Sequence, residues 1–142
     1  MRVVIDTNII IAGLYSKSGA SFKIIEAALK KRIEYAISPL VALEYIGKIE
    51  DKVKEGLLDL PIGYYLGFAK ILIKNGIQIQ RPILNRPVLP DNSDDKILEC
   101  AIAGRCNTII TFNVKDFPQK ILDQYNLIAM KPGEFIHCGG LK

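Results

Sequence analysis

Short β-branched runs alternating with amphipathic helices predict an α/β fold, a twisted and mainly parallel sheet of four or five strands flanked by helices. The runs RVVI at 2–5, EYAIS at 34–38, IQI at 77–79, NTIITFN at 107–113 and LIAM at 127–130 each read as a strand. The segments between them carry helical periodicity and capping signals. The composition, 49% hydrophobic and 24% charged over 142 residues, is that of one globular domain large enough to bury a core without disulfide or metal staples.

Taken in order, residues 2–5 form the first strand, and NIIIAGLYS, directly after Asp6, forms a short helix that ends in the loop SKSGAS. SFKIIEAALKK at 21–31 places Phe22, Ile25, Ala28 and Leu29 on one face, with Ser21 expected as its cap. SPLVALEYIGKIEDKV follows the second strand, with Ser38 in the capping position and Pro39 in the first turn, where its missing N–H costs nothing. One further helix is expected over roughly 54–74, stopped by Gly76. Three prolines at 81–93 demand a turn series. DDKILECAIAG then gives a helix that buries Ile97, Leu98, Ala101 and Ile102 and stops at Gly104, and FPQKILDQY and PGEFI give two short ones.

Several function classes are excluded by count. One histidine, His137, rules out a His-based catalytic triad or a multi-His metal site. Cys100, Cys106 and Cys138 lack a Cys-x-x-Cys pairing and are expected to be free thiols. There is neither an apolar run of spanning length nor a signal-peptide pattern, so a cytoplasmic protein without a membrane partner is expected. The net charge of +4 is modest, but if four of the 15 acids belong to one internal cluster, 11 remain against 19 Lys and Arg, a balance suited to a polyanion.

The acids are unevenly placed. Asp6 ends the first strand, Glu44 lies in the third helix, Asp91, Asp94 and Asp95 crowd the start of the fifth, and Asp116 follows the fourth strand. In parallel sheets the functional crevice lies beyond the carboxyl ends of the strands, where Asp6, Asn113 and Asp116 are expected. Helix capping explains the triplet at 91–95 equally well, and a solvated face shared with Lys48 and Asp51 explains Glu44.

VVIDTNIIIAGL at 3–14, SPLVALEY at 38–45, DNSDDKILECAIAG at 91–104 and IITFNVKDFP at 109–118 together resemble, in order and spacing, the acidic motifs of the PIN-domain family. The resemblance spans nearly the whole chain. It implies a PIN-like three-layer fold over residues 1–142 and a metal-dependent nuclease, most often acting on single-stranded RNA, with many members serving as toxins paired with an antitoxin protein. Carried over by position, Asp6 is the first acid and Glu44 the second. Asp94 is the third, since the family's alanine seven residues on is matched by Ala101, and Asp95 is the alternate. At the fourth position this chain has Asn113, with Asp116 three residues beyond. That departure bears on the affinity for a second metal ion.

Charge physics agrees with the resemblance. Two carboxylates about 4 Å apart repel by roughly 4 kcal/mol at an effective dielectric of about 20, so four cannot converge without a cation or bound protons. An all-oxygen donor set favours Mg²⁺ or Mn²⁺ over zinc. Asp6 and Asp94 are expected as direct ligands, with Glu44 and Asp116 binding directly or through water. Thr7, Asn8, Thr111 and Asn113 are expected to orient them, or to serve only as loop and cap residues.

Lys17, Lys96, Arg105 and Lys115 are the basic residues nearest this region in sequence, as phosphate contacts or as solvated charges. Tyr15 and Phe112 are candidates to stack on bases, Phe112 equally a candidate for the core. Tyr64, Tyr65 and Phe68 are available either to a partner, including a second copy in a homodimer, or to core packing. A dehalogenase-type phosphatase would need a second aspartate where Asn8 stands. A response-regulator receiver would need an acidic pair beside the first strand. A catalytically inactive PIN-like domain that binds RNA or protein is the remaining rival.

Overall fold

The computed structural model describes residues 1–80 and 89–141. Strand β1 (Arg2–Ile5) leads into helices α1 (Thr7–Tyr15) and α2 (Ala20–Leu29), then β2 (Glu34–Ile37), α3 (Pro39–Lys54), α4 (Ile62–Asn75) and the two-residue strand β3 (Ile77–Gln78). After a 3₁₀ turn at Asn92–Asp94 come α5 (Asp95–Ala103), β4 (Thr108–Ile110), a second 3₁₀ turn at Val114–Asp116, α6 (Gln119–Leu122), β5 (Ile128–Met130) and α7 (Pro132–His137). The five strands form one sheet in the order β3-β2-β1-β4-β5, and every pairing is parallel. The expected α/β architecture of four or five strands is thus realised with five.

Parallel strands need crossovers that cover the sheet, which is why the central strands read as continuous apolar runs. Val3, Val4, Ile109 and Ile110 are wholly buried. They share one core with Ile24 of α2, Val41 of α3, Ile97 and Leu98 of α5 and Phe135 of α7. Gly13 is the contact point of α1 with α2: a Cβ there would sit 2.3 Å from Ile25 Cδ1. A second, smaller cluster of Ile11, Ile49, Leu58, Tyr65 and Ala69 joins α1, α3 and α4.

Two expectations about helix ends are corrected. The helix expected over roughly 54–74 starts later: α3 runs on to Lys54, Gly56 turns the chain at φ +83°, and α4 spans only Ile62–Asn75, after Pro61. A left-handed backbone and a proline together end one helix and begin the next. Ser21 does not cap α2, which begins at Ala20 after Gly19, and the Ser21 side chain is buried inside the helix. The capping of α3 by Ser38 is as expected, with Ser38 Oγ accepting from Val41 N at 3.2 Å. Of the proline-rich turn series expected at 81–93, residues 81–88 lie outside the described part of the chain.

Tyr65 is a core residue packed edge-on to exposed Tyr64, with ring centroids 5.3 Å apart, and Phe68 is half-buried against the main core. All three cysteines are free, Cys100 and Cys106 being buried. Among the described residues no helix is long and apolar enough to cross a membrane.

Candidate active site

The strand order fixes where a site can lie. From β1 the chain winds outward through β2 to β3, then returns to place β4 and β5 on the other side of β1. The direction of winding therefore reverses between β1 and β4, and a crevice opens beyond their carboxyl ends. Asp6 follows β1 at that point. It is 6% exposed, and its backbone N–H continues the ladder to Ile110 O at 2.9 Å.

Both oxygens of Asp6 are held. Oδ1 accepts from Thr7 N at 2.7 Å, which caps α1, and Oδ2 accepts from Thr111 Oγ1 at 2.7 Å, which joins the ends of β1 and β4. Thr111 Oγ1 in turn accepts from Asn113 N at 3.0 Å and shapes the loop that carries Asn113 and Asp116. Burial pushes the Asp6 carboxyl above its ordinary pKa, the hydrogen bonds from Thr111 and Thr7 pull it back, and Glu44 and Asp116 push it up again.

Glu44 arrives from α3, fixed in place because the neighbouring Tyr45 hydroxyl donates to the Ile5 carbonyl. One Glu44 oxygen accepts from Thr7 Oγ1 at 2.5 Å, and the other pairs with Lys96 Nζ at 2.5 Å. A solvated-face role for Glu44 does not match this geometry.

Asp94 and Asp95 divide their work. Asp95 is wholly buried, and its Oδ1 accepts from Leu89 N at 3.0 Å, which ties the start of α5 to the incoming chain. Asp94 instead lines the crevice, and its buried Oδ2 has no hydrogen-bond partner among the described residues. Burial, and after it the charges of Asp6, Asp91, Asp116 and Glu44, push the Asp94 carboxyl up to about 7. Asp91 holds the turn before α5, accepting from Ser93 N at 3.0 Å and Ser93 Oγ at 2.8 Å, and those bonds hold its pKa below the ordinary value.

Asp6, Glu44, Asp94 and Asp116 thus line one cleft of about 360 Å³, joined there by Thr7, Asn8, Asn113 and Asp91. Among the described residues no group of three or more acidic, His or Cys side chains is arranged to hold a metal ion. Two oxygens in the cleft, Asp94 Oδ2 and Asn8 Oδ1, are buried without a partner. Buried acceptors of this kind are costly unless a hydrogen-bond donor or a cation satisfies them, and the potential ligand atoms of the acids and Asn8 are all oxygens, which suits a hard divalent cation.

Four cleft residues went unmarked in the sequence as site residues: Ile11, Lys48, Lys52 and Ser93. Glu44, Lys48 and Lys52 follow one another at intervals of four in α3, the spacing of one helical face, and that periodicity was the available signal. Among the basic candidates, Lys96 enters the cleft through its pair with Glu44. Arg105 does not. It occupies the turn before β4, beside Gly104 whose carbonyl accepts from Arg2, and so stands at the amino ends of the strands, away from the crevice. Phe112 is 41% exposed rather than in the core.

Comparison with known proteins decides the family. The family described as PIN domain matches residues 2–115. The chain belongs to the PIN-domain family. The PIN fold is shared with a chain of the crystal structure of VapBC2 from Rickettsia felis bound to a DNA fragment from their promoter, with a TM-score of 0.59, 18% identity, and 92% of this chain and 98% of that chain covered. At that identity the likeness speaks for the fold alone. No curated protein matches this PIN domain significantly.

Proposed function

We propose that this PIN domain is a metal-dependent ribonuclease that hydrolyses phosphodiester bonds of single-stranded RNA, and that residues 1–142 form one nuclease domain. The observation that carries the reading is the arrival of Asp6, Glu44, Asp94 and Asp116 from four separate segments in one cleft at the reversal of the sheet. Mg²⁺ or Mn²⁺ is the cofactor this lining suits, held by Asp6 and Asp94, with Glu44 and Asp116 beside them. When bound, such an ion polarises a phosphoryl oxygen and lowers the pKa of a water molecule.

The chain's own residues set the conditions for that chemistry. Thr111 and the Thr7 N–H fix both Asp6 oxygens, so the carboxylate meets a ligand without reorganising. Thr7 orients Glu44 from the same turn. Its environment raises the pKa of Asp94 to about 7, and Asp94 would hold a cation in its deprotonated form. Lys48 and Lys52 of α3 line the cleft, Lys52 paired with Glu55 at 3.0 Å, and the phosphates flanking the scissile bond would lie on their side.

A role as the toxin of a toxin–antitoxin pair is supported by the fold shared with a VapBC2 chain, and it would place the protein in the cytoplasm beside a protein partner. The test of the nuclease reading is incubation of the full chain with a fluorescent single-stranded RNA. Cleavage in Mn²⁺ that stops with EDTA and returns on re-addition of Mn²⁺ is the expected result. Cleavage undiminished by exhaustive chelation contradicts it, and no cleavage or ion binding at all would favour an inactive, RNA- or protein-binding PIN domain.

A further inference from the structure

Beside the acidic cleft runs a second, almost wholly apolar groove of about 620 Å³ between the end of α1, the start of α2 and the start of α7. Two aromatic rings border it. Tyr15 is 63% exposed and Phe112 is 41% exposed, and between them lie Ala12, Ala20, Pro132 and Gly133, with Ser16, Ser21, Glu134 and His137 also in the lining. Neither ring is spent on the core.

The groove is continuous with the cleft. Phe112 lines both it and an adjoining depression that contains Lys115 and Lys131, and that depression is closed by Asn113 and Asp116, which also line the cleft. The strand end explains the geometry. Thr111, just past β4, is buried with its hydroxyl on Asp6, while Phe112, the next residue with its Cα about 3.8 Å away, sits at a bend and is exposed. Acids, exposed lysines and exposed rings therefore follow one another along a single track. Glu134, the acid of that track, is engaged as a cap, accepting from Lys131 N at 3.2 Å.

We propose that this groove is a nucleobase subsite: it takes the unpaired base of a nucleotide next to the scissile phosphodiester, stacked on Phe112 or Tyr15, with Lys115 and Lys131 on the intervening phosphate. The proposal rests on the ribonuclease reading. Its chemistry is that of sequence-tolerant single-strand binding, in which basic residues follow the backbone and aromatic rings take the bases. An apolar slot bordered by two rings and reached past two lysines suits a chain that alternates flat apolar bases with anionic phosphates.

The experiment measures dissociation constants by fluorescence anisotropy, in Ca²⁺ to suppress turnover, for a labelled RNA heptamer and for the same heptamer with an abasic ribose at each position in turn. Full-length wild type, Tyr15→Ala and Phe112→Leu are compared, with thermal melts establishing that each variant is folded. For wild type, one abasic position should weaken binding by about 5- to 150-fold, the range measured for loss of one base–aromatic stack. In one or both variants that penalty should collapse toward unity. A penalty that persists undiminished in both folded variants, or wild type that binds with no abasic penalty at any position, overturns the subsite while leaving the nuclease reading intact. A groove that serves a protein segment instead would give that same result. Wild type that neither binds nor cleaves RNA in Mn²⁺ overturns the nuclease reading, and the subsite with it.

Discussion

Lys96 Nζ lies 2.5 Å from Glu44 Oε2, so an ammonium group is paired with one of the five carboxylates that line the acidic cleft. Both side chains are largely withdrawn from water, at 25% and 17% exposure. Lys96→Met should therefore do two things at once. It strands Glu44 in a partly buried position, lowering metal-free stability by about 1 to 3 kcal/mol. It also deepens the negative potential of the cleft, tightening Mn²⁺ binding several-fold. Melting curves and calorimetric Mn²⁺ titration check both, and unchanged Mn²⁺ affinity would mean that Lys96 does not compete for the site.

Asp94 sets the pH dependence. Its folded pKa of about 7 lies above the ordinary value of 3.8, so between those limits the folded protein holds more protons than the unfolded chain. Stability then falls as pH rises, from about 4 to about 7. Asp94→Asn should reduce that slope, leaving the share of Asp6, whose pKa is also raised, and at neutral pH without metal stabilise the protein by about 1 to 2 kcal/mol after allowance for solvent screening of a partly exposed cluster. Chemical denaturation of chelated protein across this pH range is the check. A slope unchanged in Asp94→Asn would assign it to another group.

Thr111→Val removes the hydroxyl that donates to Asp6 Oδ2 and accepts from Asn113 N. Loss of a buried hydrogen bond to a carboxylate should cost about 1.5 to 3 kcal/mol of stability. The freed Asp6 and the loosened Asn113–Asp116 loop should also lower kcat for RNA cleavage at least tenfold, more than KM is raised. Steady-state kinetics on folded protein test this, and wild-type kcat would show that Thr111 supports the fold alone.

Much of this architecture was legible because the signals were local. Asp6 follows an unbroken apolar strand, and a carboxylate at a strand end in a parallel sheet has few places to point. The Ser38-Pro39 pair likewise marks one helix start without ambiguity. What stayed hidden depended on distant partners. Asp94 and Asp95 are adjacent carboxylates, and only the fold distinguishes them, since Asp95 is drawn into the interior by the Leu89 N–H while Asp94 is left to the cleft. Arg105 is near the fourth strand in sequence yet stands at its wrong end. The break between α3 and α4 was expected, but the late start of α4 was obscured by the apolar content of 57–74, although Gly56 and Pro61 carried the stop and the start. The inward place of Thr111 rests on its bond to Asp6, a contact between residues 105 positions apart.

The central claim is that Asp6 belongs to a carboxylate cluster that exists to hold a divalent cation for RNA cleavage, and Asp6→Asn is the variant that tests it most directly. The measurement is the melting temperature of chelated wild type and chelated Asp6→Asn, with and without Mn²⁺, read beside cleavage of the same single-stranded RNA. Removing one charge from the cluster while keeping its shape should raise the metal-free melting temperature, reduce the stabilisation by Mn²⁺ and abolish cleavage. A lower melting temperature with Mn²⁺ stabilisation intact, and cleavage retained in proportion to folded protein, would make Asp6 only the cap of α1 and contradict the account.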